Sequence, residues 1–152
     1  MRKVILGLLM GAAMLGGCAS SSEQSKDDAE AVAAEFANHF FNWHYEEALA
    51  LCTPESEKWI RLLASNVSEE DVEALRESDE ANVQIDYVDM ADMTDTAAVA
   101  TVTVRGFLMP DSIGGRARRV EEGQLHLWLV RRDGAWLVRM EDLPQNEMSG
   151  LD

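Results

Sequence analysis

Side chains that could do acid–base chemistry at neutral pH are few and widely spaced in this chain of 152 residues, which has three histidines. The most suggestive is His126, which lies in a run that alternates apolar and polar residues as a strand does. Gln124 and Trp128 share its face of the predicted strand. If that face lines a pocket, His126 is the best candidate for a general acid or base. If it faces solvent, Trp128 and Gln124 instead mark a surface for a ligand or a protein partner.

The remaining polar residues offer no recognisable catalytic or metal-binding pattern. His39 falls on the polar side of the first predicted helix, and His44 lies in the turn after it. The sequence has no nucleophile elbow, phosphate loop or zinc signature. Four aspartates recur every three residues and suggest a calcium site. In a strand, however, residues three apart lie on opposite faces, so these carboxylates would diverge. These are Asp86, Asp89, Asp92 and Asp95. We therefore expect neither a metal nor a cofactor.

The two cysteines stand in different surroundings. Cys52 follows a short amphipathic segment, and we interpret this lone internal thiol as a buried apolar residue rather than a reactive one. Cys18 closes the stretch Leu15-Gly16-Gly17-Cys18. That stretch follows a basic start and an uncharged apolar run that is too short to span a bilayer.

This N-terminal segment closely resembles the signal and lipobox of bacterial lipoproteins. The resemblance implies that residues 1–17 are a signal peptide, that the chain is cut before Cys18, and that the thiol and the new amino terminus are acylated. Residues 18–26, which are rich in serine, are then expected to form a flexible tether. Ala19 stands where an inner-membrane retention signal has Asp. This implies an outer-membrane anchor that faces the periplasm.

The chain is strongly acidic, with a formal net charge of −15. The stretch 19–95 has 4 Lys and Arg against 20 Asp and Glu, whereas the stretch 96–152 has 7 against 8. Nucleic-acid binding is not expected, because it requires a basic surface. One basic cluster could contact an anionic partner or pair with Glu121, Glu122 and Asp133 of the chain itself, and we favour the second. Its members are Arg116, Arg118, Arg119, Arg131 and Arg132.

Hydrophobic spacing predicts helices in the first half of the chain and strands in the second. Apolar residues recur every three or four positions from Ala29 to Trp43, and shorter helices follow, one of them after Pro54 and one after a capping box at Ser68. Alternation predicts four strands over residues 82–90, 96–108, 122–131 and 135–141.

Turn residues separate the predicted strands. The stretch 110–118 contains two glycines and is interpreted as a loop, and Asp133-Gly134 is interpreted as a hairpin turn. On the first strand, the alternation places Tyr87 on the same face as Val83 and Ile85. Helices followed by antiparallel strands predict an α+β fold, with the N-terminal helices packed on a curved four-stranded sheet.

Two segments add a resemblance to a known family. FFNWHYEEALALC and LHLWLVRRDGAWLVRMED resemble the helix–turn segment and the closing hairpin of nuclear-transport-factor-like, or cystatin-like, domains. The resemblance implies a cone-shaped domain over residues 27–142, followed by a disordered tail over residues 143–152. Proteins of this fold include binding modules, scaffolds and enzymes, and some form homodimers through the sheet, so the fold does not define the activity.

Our leading interpretation is a non-enzymatic ligand- or protein-binding module of the cell envelope. Its partner would be the membrane through the acyl anchor and, in addition, a small ligand, an envelope protein or a second copy. The alternative is a small isomerase or dehydratase that uses His126 or a pocket carboxylate as general base. A ligand-sized pocket with a pKa-shifted group favours the enzyme, whereas a filled cone with an apolar patch outside favours the binding module.

Overall fold

The computed structural model of the protein describes residues 21–91, 94–110 and 113–144. Within these ranges, four α-helices and a 3₁₀ turn precede four strands. They are α1 (Ser21–Phe41), α2 (Tyr45–Leu49), the 3₁₀ turn (Pro54–Ser56), α3 (Glu57–Ser65), α4 (Glu69–Arg76), β1 (Asn82–Met90), β2 (Ala97–Pro110), β3 (Ala117–Arg132) and β4 (Ala135–Arg139). The strands pair antiparallel in chain order. The predicted α+β class with a curved four-stranded sheet is confirmed.

Several predictions concern residues outside these ranges. The predicted signal peptide over residues 1–17, the predicted acylation site Cys18 and residues 145–152 of the predicted tail all lie outside the described residues. The tail prediction is wrong for Leu143, which is half-buried against the core. No helix in the described ranges combines the length and the apolar character that crossing a membrane requires.

The first helix packs on the inner face of the sheet through a stripe of small and aromatic residues. Ala29, Ala33 and Phe36 are completely buried, at the spacing of three and four residues that places them on one side of the helix. The predicted tether over residues 18–26 is wrong for residues 21–26, because α1 already begins at Ser21. Ser25 lies one turn before Ala29 on the same side and is buried, so the packed stripe extends to the start of the helix.

The end of α1 has an unusual backbone for a bulky residue. Trp43 has φ 62°, a left-handed conformation that costs an L residue about 1–2 kcal/mol. The Trp43 indole Nε1 donates a hydrogen bond to the carbonyl oxygen of Leu108 at 3.1 Å, and its ring stacks on Tyr45 with centroids 6.3 Å apart. These contacts offset the strain and join the end of α1 to the far part of β2.

A β-bulge changes which side chains face outward on β1. The predicted face continues through Ile85, but Ile85 and Tyr87 pair with adjacent residues of β2, so that Asp86 is an inserted residue. The bulge turns Val88 into the core and leaves Tyr87 on the outer face. The prediction that Tyr87 shares a face with Ile85 is therefore wrong.

The connection between β2 and β3 is shorter than the predicted loop over residues 110–118. β2 extends to Pro110, and β3 begins at Ala117, which pairs with it. The backbone N–H of Ala117 donates to Asp71 Oδ1 at 3.0 Å, which fixes the start of β3 against α4. The capping box predicted at Ser68 is confirmed, and Asp71 is its second member.

Candidate interaction surface

The interior of the cone is filled by aromatic and aliphatic side chains. Phe36 and Phe40 stack with ring centroids 5.5 Å apart, and Phe41 packs edge-on against Phe107 at 5.0 Å. All four rings are buried. Aromatic packing of this kind stabilises the fold through area and ring geometry, and it occupies the space where a ligand chamber would lie.

A small void lies at the open end of the cone, beside Trp43, Tyr45 and Asp71, and two shallow surface clefts of about 400 and 480 Å³ lie next to it. The volume of the void is about 20 Å³, which is room for about one water molecule. Asp71 Oδ1 accepts the Ala117 N–H, and its Oδ2 accepts the Ser68 N–H at 3.1 Å. These backbone hydrogen bonds lower the pKa of Asp71 although burial opposes them. Burial, followed by the nearby charge of Asp71, raises the pKa of Tyr45. The one carboxylate that borders this void is thus an ionised structural group, not a base with a raised pKa.

The three predicted site residues lie together on the outer face of β3. Trp128 is 56% exposed, His126 is exposed and Gln124 is half-buried. The inward positions between and beside them are occupied by Leu125, Leu127 and Leu129, all buried. His126 therefore does not face the interior of the cone. The alternative of an isomerase or dehydratase with His126 as general base inside the cone is incorrect.

One half of the outer face is a polar network around the bulge residue. Asp86 Oδ2 accepts hydrogen bonds from Thr103 Oγ1 at 2.6 Å and from Gln124 Nε2 at 3.3 Å. Beside this network, Arg105 Nε lies 2.6 Å from Glu122 Oε2. Charge-assisted hydrogen bonds of this kind hold the bulge in place and leave this half of the face polar.

The other half of the outer face is apolar, and we call it the outer patch. It consists of Tyr87, Val99, Trp128, Val130 and Leu137. Val99 pairs directly with Trp128, and Val130 pairs with Leu137. Tyr87 is 53% exposed, so two of the three large apolar side chains that are exposed in the described residues belong to this patch. Contiguous exposed aromatic and aliphatic surface is characteristic of an interaction site.

An open groove runs along the β4 side of the outer patch. It has a volume of about 650 Å³ and is bordered by His126, Trp128, Arg139 and residues 141–144. The volume is within the range of small-ligand sites, but the groove lies on the surface and has one side open to solvent.

Charged residues stand at the two margins of the outer patch. Asp89, Val99, Trp128 and Arg139 form one row across the four strands, from β1 to β4. The carboxylate of Asp89 is exposed and makes no hydrogen bond or ion pair within the described residues. Arg139 Nη2 lies 2.5 Å from Oε1 of Glu141, in an exposed pair. The row thus has an acid at one end, a base at the other and apolar residues between them.

The basic cluster pairs with acids within the chain, but mostly with others than those predicted. Arg119 pairs with Glu121 as predicted, whereas Arg116 pairs with Glu70 and Arg132 with Glu55. Arg131 Nη1 donates a hydrogen bond to Ser25 Oγ at 3.5 Å. These residues do not form one continuous basic surface, because β3 carries them to opposite ends of the sheet.

The other chemically interesting residues have structural surroundings. Cys52 is buried, and burial together with the nearby charge of Glu57 raises its pKa to about 11, which supports our interpretation of an unreactive thiol. His39 Nε2 lies 3.9 Å from Glu35 Oε1 on the surface of α1. No group of three or more His, Cys, Asp or Glu side chains in the described ranges is arranged to hold a metal ion, and Asp92 lies outside those ranges.

Sequence reasoning missed three residues of this surface. Tyr87 was assigned to the wrong face, and Asp89 and Arg139 were not connected with each other. The sequence of β1 contains no signal for the bulge, because Asp86 is polar like the other outward-facing residues at positions 84 and 89. The pairing of Asp89 with Val99 depends on that bulge, so the charged row could not be derived from the sequence.

No family model and no curated protein matches the chain. Among solved structures, it is similar to an Ntf2-like protein involved in plasmid conjugation, with 14% identity and a TM-score of 0.39 over 76% of this chain and 46% of that chain. The chain therefore spans less than half the length of that protein. It is also similar to a candidate polyketide cyclase from Xanthomonas campestris pv. campestris, with 12% identity and a TM-score of 0.38 over 77% and 93% of the two chains. At this level of similarity, neither activity transfers to this chain.

Proposed function

We propose that this chain is a lipid-anchored protein of the bacterial cell envelope and acts as a non-enzymatic protein-binding module through its outer patch. The observation that carries the proposal is the contrast between the two faces of the sheet. The inner face is packed with buried side chains, and the void beside Tyr45 and Asp71 measures about 20 Å³, whereas Tyr87 and Trp128 are more than half exposed on the outer face.

The anchor is supported by the stretch Leu15-Gly16-Gly17-Cys18 after a short apolar run. Acylation of Cys18 on both sulfur and nitrogen would supply several acyl chains, and two or more chains give stable anchoring where one does not. Ala19 favours the outer membrane, with the domain in the periplasm. This part of the proposal rests on the sequence.

A small isomerase or dehydratase has less support. A general base for such chemistry needs a sheltered site and a pKa near the working pH. His126 lies on the exposed face, and Asp71 beside the small void has a lowered pKa. The groove of about 650 Å³ beside Trp128 keeps small-ligand binding as a lesser candidate.

We further propose that the partner on the outer patch is a second copy of the chain. Charge complementarity supports this choice. The row from Asp89 to Arg139 has opposite charges at its two ends, so it complements itself when it is turned by a two-fold axis that runs parallel to the strands between β2 and β3. Asp89 then lies opposite Arg139 of the second copy, and Val99 lies opposite Trp128 of the second copy.

Other arrangements are electrostatically less favourable. A two-fold axis perpendicular to the strands would place Asp89 opposite Asp89 of the second copy, and Arg139 opposite its own counterpart. Like charges that face each other oppose association. Both axes leave the two sets of strands roughly aligned, as packed sheets commonly are, so the charges decide between them.

The test uses the full chain, expressed in bacteria and extracted from membranes with detergent. Intact mass should show acylation of the wild type and none for Cys18→Ser. Native mass spectrometry should show a dimer, which Trp128→Ser weakens at least about tenfold. Ile113→Ser is the matched control, because Ile113 has the same exposure but lies far from the patch. An unacylated wild type would refute the anchor, and equal effects of both substitutions would refute the outer patch.

A further inference from the structure

The described residues also indicate which end of the domain an acylated Cys18 would hold next to a bilayer. Only Ala19 and Ser20 separate Cys18 from Ser21, where α1 begins. Three peptide links span at most about 11 Å. The start of α1 must therefore remain within about 11 Å of an acylated Cys18, whatever conformation the intervening residues adopt.

The start of α1 is fixed to one end of the sheet and cannot swing independently of it. Ser25 is buried, and its Oγ accepts a hydrogen bond from Arg131 near the end of β3. The Arg131 N–H donates to the carbonyl oxygen of Thr96 at 2.7 Å, in the turn between β1 and β2. Arg132 pairs with Glu55 of the 3₁₀ turn at 2.8 Å. These turns form a single end, which we call the hairpin end.

The opposite end of the domain is equally well defined. α1 has 21 residues and is therefore about 30 Å long. At its far end, Trp43 bonds to Leu108 of β2, and Asp71 bonds to Ala117 at the start of β3. The exposed Ile113 lies in the connection between these two strands. We call this the distal end.

We propose that the hairpin end faces the lipid surface and that the domain stands upright on it, with the distal end about 30 Å farther into the periplasm. This inference rests on the proposed acylation of Cys18. In this orientation the strands run roughly along the membrane normal, because they connect the two ends. The outer patch then faces sideways, and a two-fold axis parallel to the strands leaves both anchors of a dimer in the same leaflet.

The charge of the domain supports an upright position. The described residues of α1 and its neighbouring helices belong to the strongly acidic part of the chain, so laying the helical side on an anionic leaflet would be repulsive. Among the described residues, the hairpin end has six acids and three bases: Glu23, Asp27, Asp28, Glu55, Asp95 and Asp133 against Lys26, Arg131 and Arg132. None of the three exposed large apolar side chains of the described residues lies there. The described residues of this end thus supply no large apolar wedge, and the acyl anchor makes the contact with lipid.

Energy transfer to vesicles that contain a headgroup-labelled lipid measures this orientation. A donor dye is attached to the acylated full chain through Ala135→Cys at the hairpin end, Ile113→Cys at the distal end or Tyr87→Cys on the outer face. Cys52 is buried with a raised pKa and remains unlabelled, which the unsubstituted chain verifies. All three positions are exposed, so the substitutions leave the core intact.

We expect transfer from position 135 to exceed transfer from position 113 by at least about twofold, because the two ends are separated by roughly the length of α1. Equal transfer, or greater transfer from position 113, would overturn the inference. The greatest transfer from position 87 would also overturn it, since the sheet would then lie flat on the lipid. Cys18→Ser should carry no acyl mass and should not float with vesicles. If the labelled chains behave in the same way, the anchor itself is refuted, not the orientation.

Discussion

Exchanging the charges at the margins of the outer patch should control whether two copies associate. Asp89→Arg places two arginines opposite each other at both symmetric contacts of the proposed dimer, and Arg139→Asp places two acids there. Exposed ion pairs contribute about 0.2–1 kcal/mol. Because Arg139 already contacts Glu141, we take about 0.5 kcal/mol for each contact. Reversing the sign then costs about 1 kcal/mol per contact and about 2 kcal/mol per dimer, a roughly thirtyfold weaker dissociation constant.

The decisive assay mixes the two variants. Each alone should be mainly monomeric near the wild-type dissociation constant, whereas an equimolar mixture should form a heterodimer in which both contacts again join an arginine to an aspartate. Native mass spectrometry of the detergent-solubilised chains distinguishes the species if one variant carries a mass tag. The difference in dissociation constant between wild type and each single variant should shrink in about 1 M salt, where charges are screened within about 3 Å. If both variants associate as the wild type does, or if the mixture gains no heterodimer, the proposed row-to-row arrangement is incorrect.

Three predictions concern the fold. Asp71→Asn should lower the free energy of unfolding by about 1–2 kcal/mol at neutral pH. Because the folded pKa of Asp71 lies below its unfolded value, the stabilisation by its carboxylate is complete above the ordinary Asp range and is lost as the pH falls through the folded pKa. The thermal unfolding midpoints of wild type and variant should therefore converge in acid. Cys52, with a pKa of about 11, should react with a thiol reagent at pH 8 about a hundredfold more slowly than in the unfolded chain, and an equal rate would contradict its burial. Gly134→Ala should lower the free energy of unfolding by about 1 kcal/mol through backbone strain alone, because Gly134 has φ 80° and no atom lies within 4 Å of the added Cβ. Gly134→Asn should lower it less, since Asn tolerates this conformation, and equal losses would contradict a backbone origin.

The sequence was sufficient to predict the fold class because its two periodicities are strong and local. The stripe from Ala29 to Phe40 and the alternation around Leu127 each depend on burial of one face, which the structure confirms. The capping box at Ser68 and the turn at Asp133-Gly134 were also predictable, since each depends on side chains within a few residues.

Features that depend on tertiary pairing could not be predicted in this way. The early start of α1 reflects burial of Ser25 against Arg131, which is more than one hundred residues away in the chain. The start of β3 at Ala117 depends on Asp71 of α4. The bulge at Asp86 depends on its register with β2, and it determines whether Tyr87 faces the core or the outer patch.

The candidate surface was therefore predicted only in part. Trp128 and Gln124 were correctly placed on one face with His126 by alternation alone, and the structure shows that this face points outward. The residues that complete the surface, Tyr87 and the charged pair at its margins, required the strand register. Periodicity shows which side chains of one strand share a face, but only pairing shows which strands bring them together.

The most direct test of the central claim is site-specific photo-crosslinking from the outer patch in intact cells. A photoreactive phenylalanine derivative, which keeps a large apolar ring at this position, replaces Trp128 in the full chain. The same probe at Glu46, which is exposed on the helical side, serves as the control. We predict a crosslinked dimer from position 128 with the crosslink in the β2 peptide that contains Val99, and none from position 46. A crosslink from position 128 only to another protein or to lipid, or a dimer crosslink from position 46 alone, would contradict the account.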